Sequence, residues 1–300
     1  MNKLIECVPN ISEGLDLNKI NKIANSVLNY EGVKLLNIDP GKATNRTVIT
    51  FVGPPDTIVD AAYTLISQAK ELIDMRLHKG EHPRMGAVDV CPFIPISGVS
   101  MEETADLAHQ LATRVGSQLL IPVYCYENAA KNEERVNLAN CRYGEYEGLK
   151  NKLRDVKWKP DYGPNQFNET VAKFGAVAIG ARDFLVAYNI NLNTTSTRRA
   201  NSVAFDLREA GRVKREGGTL TGKIITDKNG EAIREPGYFK NLKGIGWYIK
   251  EYGVAQISYN ITNVNTTTLH EVFSKTCERA NDRGMRVTGS ELIGLVPKKV

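Results

Sequence analysis

The two halves of the chain carry the same order of hydrophobic patterns, and this repetition constrains the fold more than any other feature. From residue 4 to residue 96, a β-rich run, a helical period, two β-rich runs, a helical period and a β-rich run follow one another. The same series recurs from residue 184 to residue 296. Each half therefore predicts the order β-α-β-β-α-β, the split βαβ arrangement of ferredoxin-like domains. We expect an α/β (α+β) chain with a subdomain at 1–178 and another at 179–300.

The first half carries an extension. Ser100 and Glu103 stand three residues apart ahead of a helical period, which predicts a helix that begins with a capping box. Further on, residues 120–126 predict a strand and residues 132–152 predict polar helices. From residue 157 to residue 175, prolines and glycines break every period, so this stretch is interpreted as a linker or a functional loop.

Two further turns are predicted from turn-forming residues. Asp39-Pro40-Gly41 separates two β-rich runs of the first half and predicts the turn between them. In the second half, an insertion at 217–239 interrupts the connection from a helix to a strand. It contains Asn229-Gly230 between short β-rich runs, which predicts an inserted hairpin with a type I′ turn.

Composition excludes several classes of protein. The net charge of +5 comes from basic and acidic residues that are interleaved throughout, which is typical of a solvated surface and not of a nucleic-acid-binding one. No apolar stretch is long enough to span a membrane, and Glu6 and Pro9 interrupt the first apolar run, so we expect no signal peptide. Five scattered cysteines indicate reduced thiols. We therefore expect a cytoplasmic protein.

The most unusual segment runs from His78 to Gly86 and concentrates charged and imidazole side chains between a helix and a strand. Its first five residues match H-x-x-E-H, a zinc motif that requires a helix to bring both imidazoles onto one face. Gly80 disfavours a helix here, and Pro83 biases the preceding residue towards extended geometry. We therefore expect no metal.

An imidazole on a stiff, non-helical loop could act as a general acid or base near neutral pH. The alternative is a loop histidine that only hydrogen-bonds a carbonyl group. For His82, the charged neighbours Lys79, Glu81 and Arg84 leave the two interpretations equally weighted. The polar loops at 7–14 and 39–46 are open to the same two interpretations.

An 18-residue block from His78 to Pro95 matches one family pattern almost throughout. Shorter blocks match in order over nearly the whole chain, at residues 6–10, 12–14, 44–48, 51–53, 144–147, 189–192, 206–209, 245–248 and 294–297. Together these segments resemble the formiminotransferase family. The resemblance implies two ferredoxin-like subdomains with a substrate groove between them, and a homodimer.

The resemblance also implies roles for individual residues. His82 corresponds to the catalytic acid/base, and Asp39 corresponds to a carboxylate in the same groove. The family's folate-binding loop begins at Gly163. It corresponds here to Gly163, Pro164, Asn165, Phe167 and Gly175, although residues 165–174 differ from the animal enzymes in length and composition. Arg84, Arg46 and Lys79 are candidate partners for a substrate carboxylate, because cations recognise carboxylates and these lie close in sequence to His82 or Asp39.

The implied reaction moves a formimidoyl group from N-formimidoyl-L-glutamate to N5 of tetrahydrofolate, in histidine degradation, with tetrahydrofolate as co-substrate and no metal. The bifunctional relatives continue into a cyclodeaminase domain, whereas this sequence stops at Val300, so a separate cyclodeaminase is expected. Three alternatives remain open: formyl transfer between 5-formyltetrahydrofolate and glutamate, folate binding without catalysis, and a metallopeptidase.

Overall fold

A computed structural model describes residues 3–218, 222–298 and 300 of the chain. The chain separates into an N-terminal unit, residues 1–183, and a C-terminal unit, residues 184–300. Each unit has its own hydrophobic core. None of the helices in the described residues combines the length and the apolar composition needed to cross a lipid bilayer.

The N-terminal unit is built on one mixed sheet. Its strands are β1 (Leu4–Cys7), β2 (Asn10–Ile11), β3 (Lys34–Gly41), β4 (Arg46–Gly53), β5 (Val88–Ser97), β6 (Val123–Glu127) and β7 (Val177–Ala181). Its helices are α1 (Leu17–Asn25), α2 (Pro55–Leu72), α3 (Met101–Arg114), α4 (Glu133–Val136), α5 (Leu138–Cys141), α6 (Glu145–Lys152) and α7 (Glu169–Phe174).

In this sheet β1 and β2 act as one interrupted strand, because both pair with β4 on one side and with β5 on the other. The remaining strands extend the sheet outward, β3 beyond β4, and β7 and then β6 beyond β5. The pairings of β7 with β5 and with β6 are parallel, and the others are antiparallel. The end of β2 lies beside the starts of β4 and β5, so the polar loops that follow β2 and precede β4 and β5 converge at one region of the unit.

Apolar periodicity explains the core of this unit. The buried face of α2 is formed by residues three and four apart, among them Ile58, Ala62, Leu65 and Ala69. At β6 and β7 alternate residues enter two different clusters, so the sheet is covered on both faces there. The predicted capping box at Ser100 and Glu103 is confirmed, with both of its hydrogen bonds present.

The C-terminal unit has the order β8 (Val186–Leu192), α8 (Thr197–Leu207), β9 (Arg212–Val213), β10 (Arg234–Glu235), β11 (Leu242–Ile249), β12 (Val254–Ile261), α9 (Leu269–Asn281) and β13 (Val287–Ile293). Its four-stranded sheet has the order β11-β12-β8-β13, with antiparallel neighbours. The strands β9 and β10 form a separate pair, in which β10 lies within the predicted insertion and β9 precedes it. Apart from that pair, the order is the β-α-β-β-α-β series predicted from the sequence.

Two predictions in the N-terminal half differ from the structure. Asp39-Pro40-Gly41 is the end of β3 and not a turn, because the strand continues until Gly41 pairs with Arg46. The stretch 157–175 is not irregular throughout, since it contains α7, whose first turn is capped by the side chain of Asn168.

The strand β7 also spans the predicted subdomain boundary at 178/179. The sequence did not reveal β7 because it is buried on both faces and does not alternate between polar and apolar residues. The division that the structure shows falls after Asp183.

The inserted hairpin is present at an antiparallel bridge between Thr226 and Ala232, but its turn is not type I′. A type I′ turn needs positive φ at both central residues. Only Gly230 has it here, with φ of 82°. The side chain of Asp227 accepts hydrogen bonds from the N–H groups of Asn229 and Glu231, which stabilises a different turn. Residues 219–221 of the predicted insertion lie outside the described residues.

We expect Gly175→Ala to destabilise the N-terminal unit by about 2 kcal/mol or more, because alanine tolerates a positive φ poorly and because its Cβ would overpack this site. Gly175 has φ of 85°, and an added Cβ would lie 2.2 Å from the carbonyl oxygen of Met85. Gly148→Ala in α6 is the matched control, because nothing lies within 4 Å of its added Cβ. Urea unfolding measures both variants. A Gly175→Ala midpoint equal to that of the wild type would contradict this close approach.

Candidate functional site

One asparagine, Asn45, joins three polar loops of the N-terminal unit. Its backbone is left-handed, with φ of 46°, a conformation that asparagine adopts more readily than most residues. Its side chain accepts a hydrogen bond from the N–H of Gly14 at 2.9 Å and donates one to the carbonyl of Lys79 at 2.8 Å. Its own carbonyl oxygen lies 2.8 Å from Nε2 of His78. The loops that carry the predicted site residues are therefore held against one another.

The segment from His78 to His82 is not helical, in agreement with the effect expected of Gly80 and Pro83. Gly80 packs so closely that an added Cβ would lie 2.2 Å from the carbonyl oxygen of Thr44. The two imidazoles therefore do not share a helix face as the zinc motif requires. Within the part of the chain that the structure describes, no group of three or more His, Cys, Asp or Glu side chains is placed to hold a metal ion.

The predicted acid/base residue, His82, is partly buried, and the next residue orients its ring. Its Nδ1 lies 2.7 Å from the carbonyl oxygen of Pro83. Because a carbonyl oxygen only accepts, Nδ1 carries the hydrogen, and the lone pair of the neutral ring is at Nε2.

Burial lowers the pKa of His82 well below its ordinary value of 6.5. The positive charges of Arg46, Arg142 and Arg84 lower this pKa further, while the hydrogen bond to Pro83 opposes them. At neutral pH the ring is therefore an uncharged base.

Arg46 and Arg142 come from different elements. Arg46 begins β4 and donates from Nη2 to the amide oxygen of Asn10. Arg142 follows α5 and donates from Nη2 to the carboxylate of Asp89 in β5, which is 1% exposed. The other carboxylate oxygen of Asp89 accepts the N–H of Met85 at 3.0 Å. Burial and then the charge of Arg142 lower the pKa of Arg46 to about 10, so the two guanidinium groups act on each other.

Both of these arginines have an unsatisfied donor. Their Nε atoms are buried, and neither has a hydrogen-bond partner among the described residues. A buried donor without a partner is rare in native proteins, because its lost hydration is unfavourable by about 1–3 kcal/mol. The pair therefore offers two N–H groups to an acceptor.

Asp39 lies in β3, beside the strand that carries Arg46. It pairs with Val48, and Gly41 of the same strand pairs with Arg46. The negative charge of Asp39 raises the pKa of Arg46, in opposition to burial. The two predicted catalytic residues, Asp39 and His82, thus both lie within electrostatic range of Arg46.

The guanidinium of Arg84 is already compensated within the protein. Its Nη1 and Nη2 donate to the two carboxylate oxygens of Glu147 at 2.8 and 2.6 Å, and Nη1 also lies 3.3 Å from Glu145. Its side chain is only 8% exposed, and its Nε lies 3.3 Å from Nδ1 of His78. The paired carboxylates raise the pKa of Arg84. By contrast Lys79, the third predicted carboxylate partner, is exposed on the loop.

The first predicted folate-binding residue, Gly163, packs closely against the segment just before β6. Gly163 has φ of 81°, and an added Cβ would lie 2.1 Å from the carbonyl oxygen of Ile121. Pro164 follows partly buried and Asn165 exposed. Phe167 packs against the apolar cluster formed by one face of β6 and β7 with the neighbouring helices.

The end of this predicted loop reaches the segment that carries His82. Gly175 ends α7 and forms an antiparallel bridge with Gly86. The carbonyl of Met85 accepts the N–H of Ala176 at 2.9 Å, and a Cβ on Gly86 would lie 2.1 Å from the carbonyl oxygen of Ala176. The backbones of the two predicted functional segments are therefore in direct contact.

Sequence reasoning missed Asp89 and Arg142. Asp89 lies within an otherwise apolar strand, and a carboxylate in such a position is almost never buried unless paired, so it was a detectable signal. Arg142 stands among many polar residues between short helices and carries no local signal. Its electrostatic action on His82 depends on the pairing with Asp89 across the fold.

Fold and site together define an α/β protein whose N-terminal unit presents a neutral histidine among three buried or partly buried arginines. Residues 4–182 match the family model described as the formiminotransferase domain, N-terminal subdomain, and residues 187–300 match the formiminotransferase domain. The chain belongs to the formiminotransferase family.

Among curated proteins, the chain is 45% identical over 297 residues to the formimidoyltransferase-cyclodeaminase of Dictyostelium discoideum, covering 99% of the chain and 51% of that protein. It therefore spans about half the length of this bifunctional relative. It is 39% identical to the glutamate formimidoyltransferase of Thermoplasma acidophilum, covering 99% of the chain and 89% of that protein. The corresponding enzyme of Streptococcus pyogenes serotype M1 is 37% identical, with 100% and 91% covered.

We expect His82→Gln to weaken the loss of stability on acidification. The pKa of His82 is lower in the folded protein than in the unfolded chain, so the unfolded chain binds more protons below about pH 6.5. Stability therefore falls as the pH drops through that value, and the glutamine variant lacks this contribution. Urea unfolding across the range of about pH 5 to 8 measures it, with His270→Gln, an exposed histidine, as the control. Parallel curves for His82→Gln and the wild type would refute the lowered pKa.

Proposed function

We propose that this chain is a glutamate formimidoyltransferase, which moves the formimidoyl group of N-formimidoyl-L-glutamate to N5 of tetrahydrofolate in histidine degradation. The products are 5-formimidoyltetrahydrofolate and L-glutamate. The observation that carries the proposal is a neutral imidazole, His82, placed among arginines in a chain similar over its whole length to two glutamate formimidoyltransferases. Formimidoyl transfer needs such a base, and its amino-acid donor is an anion.

The proposed mechanism uses one imidazole in two steps. N5 of tetrahydrofolate attacks the amidine carbon, and Nε2 of His82 takes the proton that N5 loses as the tetrahedral intermediate forms. The resulting imidazolium then gives this proton to the glutamate nitrogen as the carbon–nitrogen bond breaks. Glutamate leaves as an amine, and the imidazole returns to its neutral state. Holding both substrates at this point contributes further to the rate.

Asp39 is proposed to stabilise the charged form of His82, since a nearby carboxylate favours an imidazolium. The segment that contains Gly163, Pro164, Asn165, Phe167 and Gly175 is proposed to bind the folate, in keeping with the contact of its end with residues 85–87. The finer family expectations are also proposals: ferredoxin-like subdomains, a substrate groove, a homodimer and a cytoplasmic location.

We expect His82→Ala to lower kcat by about 10²–10⁴-fold, because the proton shuttle is lost. The measurement is a steady-state assay with N-formimidoyl-L-glutamate and tetrahydrofolate, run in parallel with 5-formyltetrahydrofolate and glutamate. His270→Ala is the control, and tetrahydrofolate binding by calorimetry reports whether the variant retains its site. A His82→Ala rate within a few fold of the wild type would assign the shuttle to another group.

Other outcomes of this assay would change the proposed reaction. Faster use of the formyl donor would identify a formyltransferase. Folate binding without turnover of either donor would identify a binding protein. Loss of activity on treatment with a chelator would require a metal that the proposed mechanism does not use.

The pH dependence of kcat/KM gives a separate prediction. This quantity reports the free enzyme, in which His82 must be neutral to accept a proton. Because the pKa of His82 is lowered, the neutral form persists below its ordinary value of 6.5. We therefore expect kcat/KM of the wild type to fall at acid pH with an inflection below about pH 6.5. This inflection should be absent from His82→Ala. An inflection above that value would contradict the electrostatic environment described for this ring.

A further inference from the structure

Two partly buried arginines whose charges act on His82, Arg46 and Arg142, share an unsatisfied hydrogen-bonding capacity. The Nε–H groups of Arg46 and Arg142 have no partner among the described residues, and no other buried side-chain atom in that part of the chain is in this state. That both orphaned donors belong to neighbouring arginines indicates a common acceptor. We propose that Arg46 and Arg142 form the subsite for the α-carboxylate of the donor amino acid.

This inference rests on the proposed function for the identity of the anion. In N-formimidoyl-L-glutamate the α-carboxylate is attached to the carbon that bears the reacting nitrogen. A donor whose nitrogen receives a proton from His82 must therefore bring this carboxylate close to the imidazole. The glutamyl carboxylates of tetrahydrofolate are separated from N5 by the aminobenzoyl group, so they do not reach the same place.

The charges of the surrounding groups favour an anion here and not at Arg84. Arg84 donates to both carboxylate oxygens of Glu147 and is compensated by them. Arg142 is paired with the single carboxylate of Asp89, and Arg46 donates to the neutral amide of Asn10. Of the three arginines that act on His82, the two with orphaned donors are therefore the less compensated ones.

A carboxylate bound between these arginines would also act on His82. The charges that act on the imidazole include Arg46 of β4, Arg142 after α5 and Arg84 of its own loop, while Asp39 of β3 and Asp89 of β5 act on Arg46. Compensating two of the positive charges makes the imidazole easier to protonate. The free site then keeps His82 as a base, and the occupied site lets it hold the proton that the leaving nitrogen needs.

The test measures binding of glutarate, a dicarboxylate that cannot react, to the full chain by calorimetry. Arg142→Lys and Arg46→Lys keep the positive charge but lose the Nε–H and the planar fork. We expect each to weaken glutarate binding about 10- to 100-fold, the usual effect of losing a hydrogen bond to a charged group. The KM for N-formimidoyl-L-glutamate should rise by a similar factor, while that for tetrahydrofolate changes by less than about 3-fold.

Arg135→Lys is the matched control. Arg135 is buried and, like Arg142, is paired with an internal carboxylate, that of Asp161, but its charge is not among those that act on His82. We expect wild-type glutarate affinity in this variant. An equal loss in Arg135→Lys would overturn the proposal, because weakening any buried arginine pair would then produce it. Thermal unfolding verifies that each variant is folded. If one of the two lysine variants of the proposed subsite does not fold, the other is sufficient for the test.

The effect on His82 has its own readout. Its ring titration can be followed by NMR and assigned by comparison with His82→Gln, with and without glutarate. We expect saturating glutarate to move the titration to higher pH in the wild type and to have a smaller effect in Arg142→Lys. By reciprocity, glutarate should bind more tightly as the pH falls through this range. An unchanged titration would refute the coupling.

Failure of this proposal can be distinguished from failure of the proposed function. Glutarate binding that depends on both arginines, in a protein that transfers no formimidoyl group, would leave the anion subsite in place and refute the reaction. Normal transfer with wild-type glutarate affinity in both lysine variants would refute the subsite alone. Transfer by a wild-type protein that does not bind glutarate would also refute it.

Discussion

The site depends on the pairing of the buried carboxylate of Asp89, because a buried carboxylate is unfavourable without hydrogen-bond donors or a positive charge next to it. It is 1% exposed within the apolar strand β5, where an unpaired ionised carboxylate is unfavourable by several kcal/mol. The N–H of Met85 and the guanidinium of Arg142 both donate to it. The first contact fixes the segment that carries His82, and the second fixes an arginine whose charge acts on that histidine. The burial of Asp89 within the sheet therefore also fixes the geometry of the site.

The arrangement of charges separates arginines that organise the protein from arginines that can bind a ligand. Arg84 is anchored by Glu147 and Glu145 of α6, so it joins the loop before β5 to that helix. Arg46 and Arg142 have fewer anionic partners, and the positive charge of Arg142 lowers the pKa of Arg46. Proximity in sequence suggested Arg84 as a carboxylate partner, whereas three-dimensional pairing favours Arg142, which is distant in sequence.

Local rules predicted local features, and long-range pairing decided the rest. The capping box at Ser100 depends only on residues three apart, and it is present as predicted. β7 was missed because burial on both faces removes the alternation by which a strand is recognised. The type I′ turn was wrong because the side chain of Asp227 supplies hydrogen bonds that the dipeptide rule ignores. Similarly, no local pattern marks Arg142, whose position follows from its contact with Asp89 in another element.

Another arginine of the N-terminal unit, Arg135, is buried, and its Nη atoms have acceptors within the protein. Arg135 donates to the carboxylate of Asp161 and to the carbonyl of Lys159 at 2.7 Å. The Nε–H groups of Arg46 and Arg142 differ in this respect, because neither has an acceptor among the described residues, and a buried donor left without an acceptor is unfavourable for stability. A bound carboxylate would restore that stability through the free energy of binding. The same carboxylate would favour protonation of His82, so one local instability would couple donor binding to the proton transfer that releases the product.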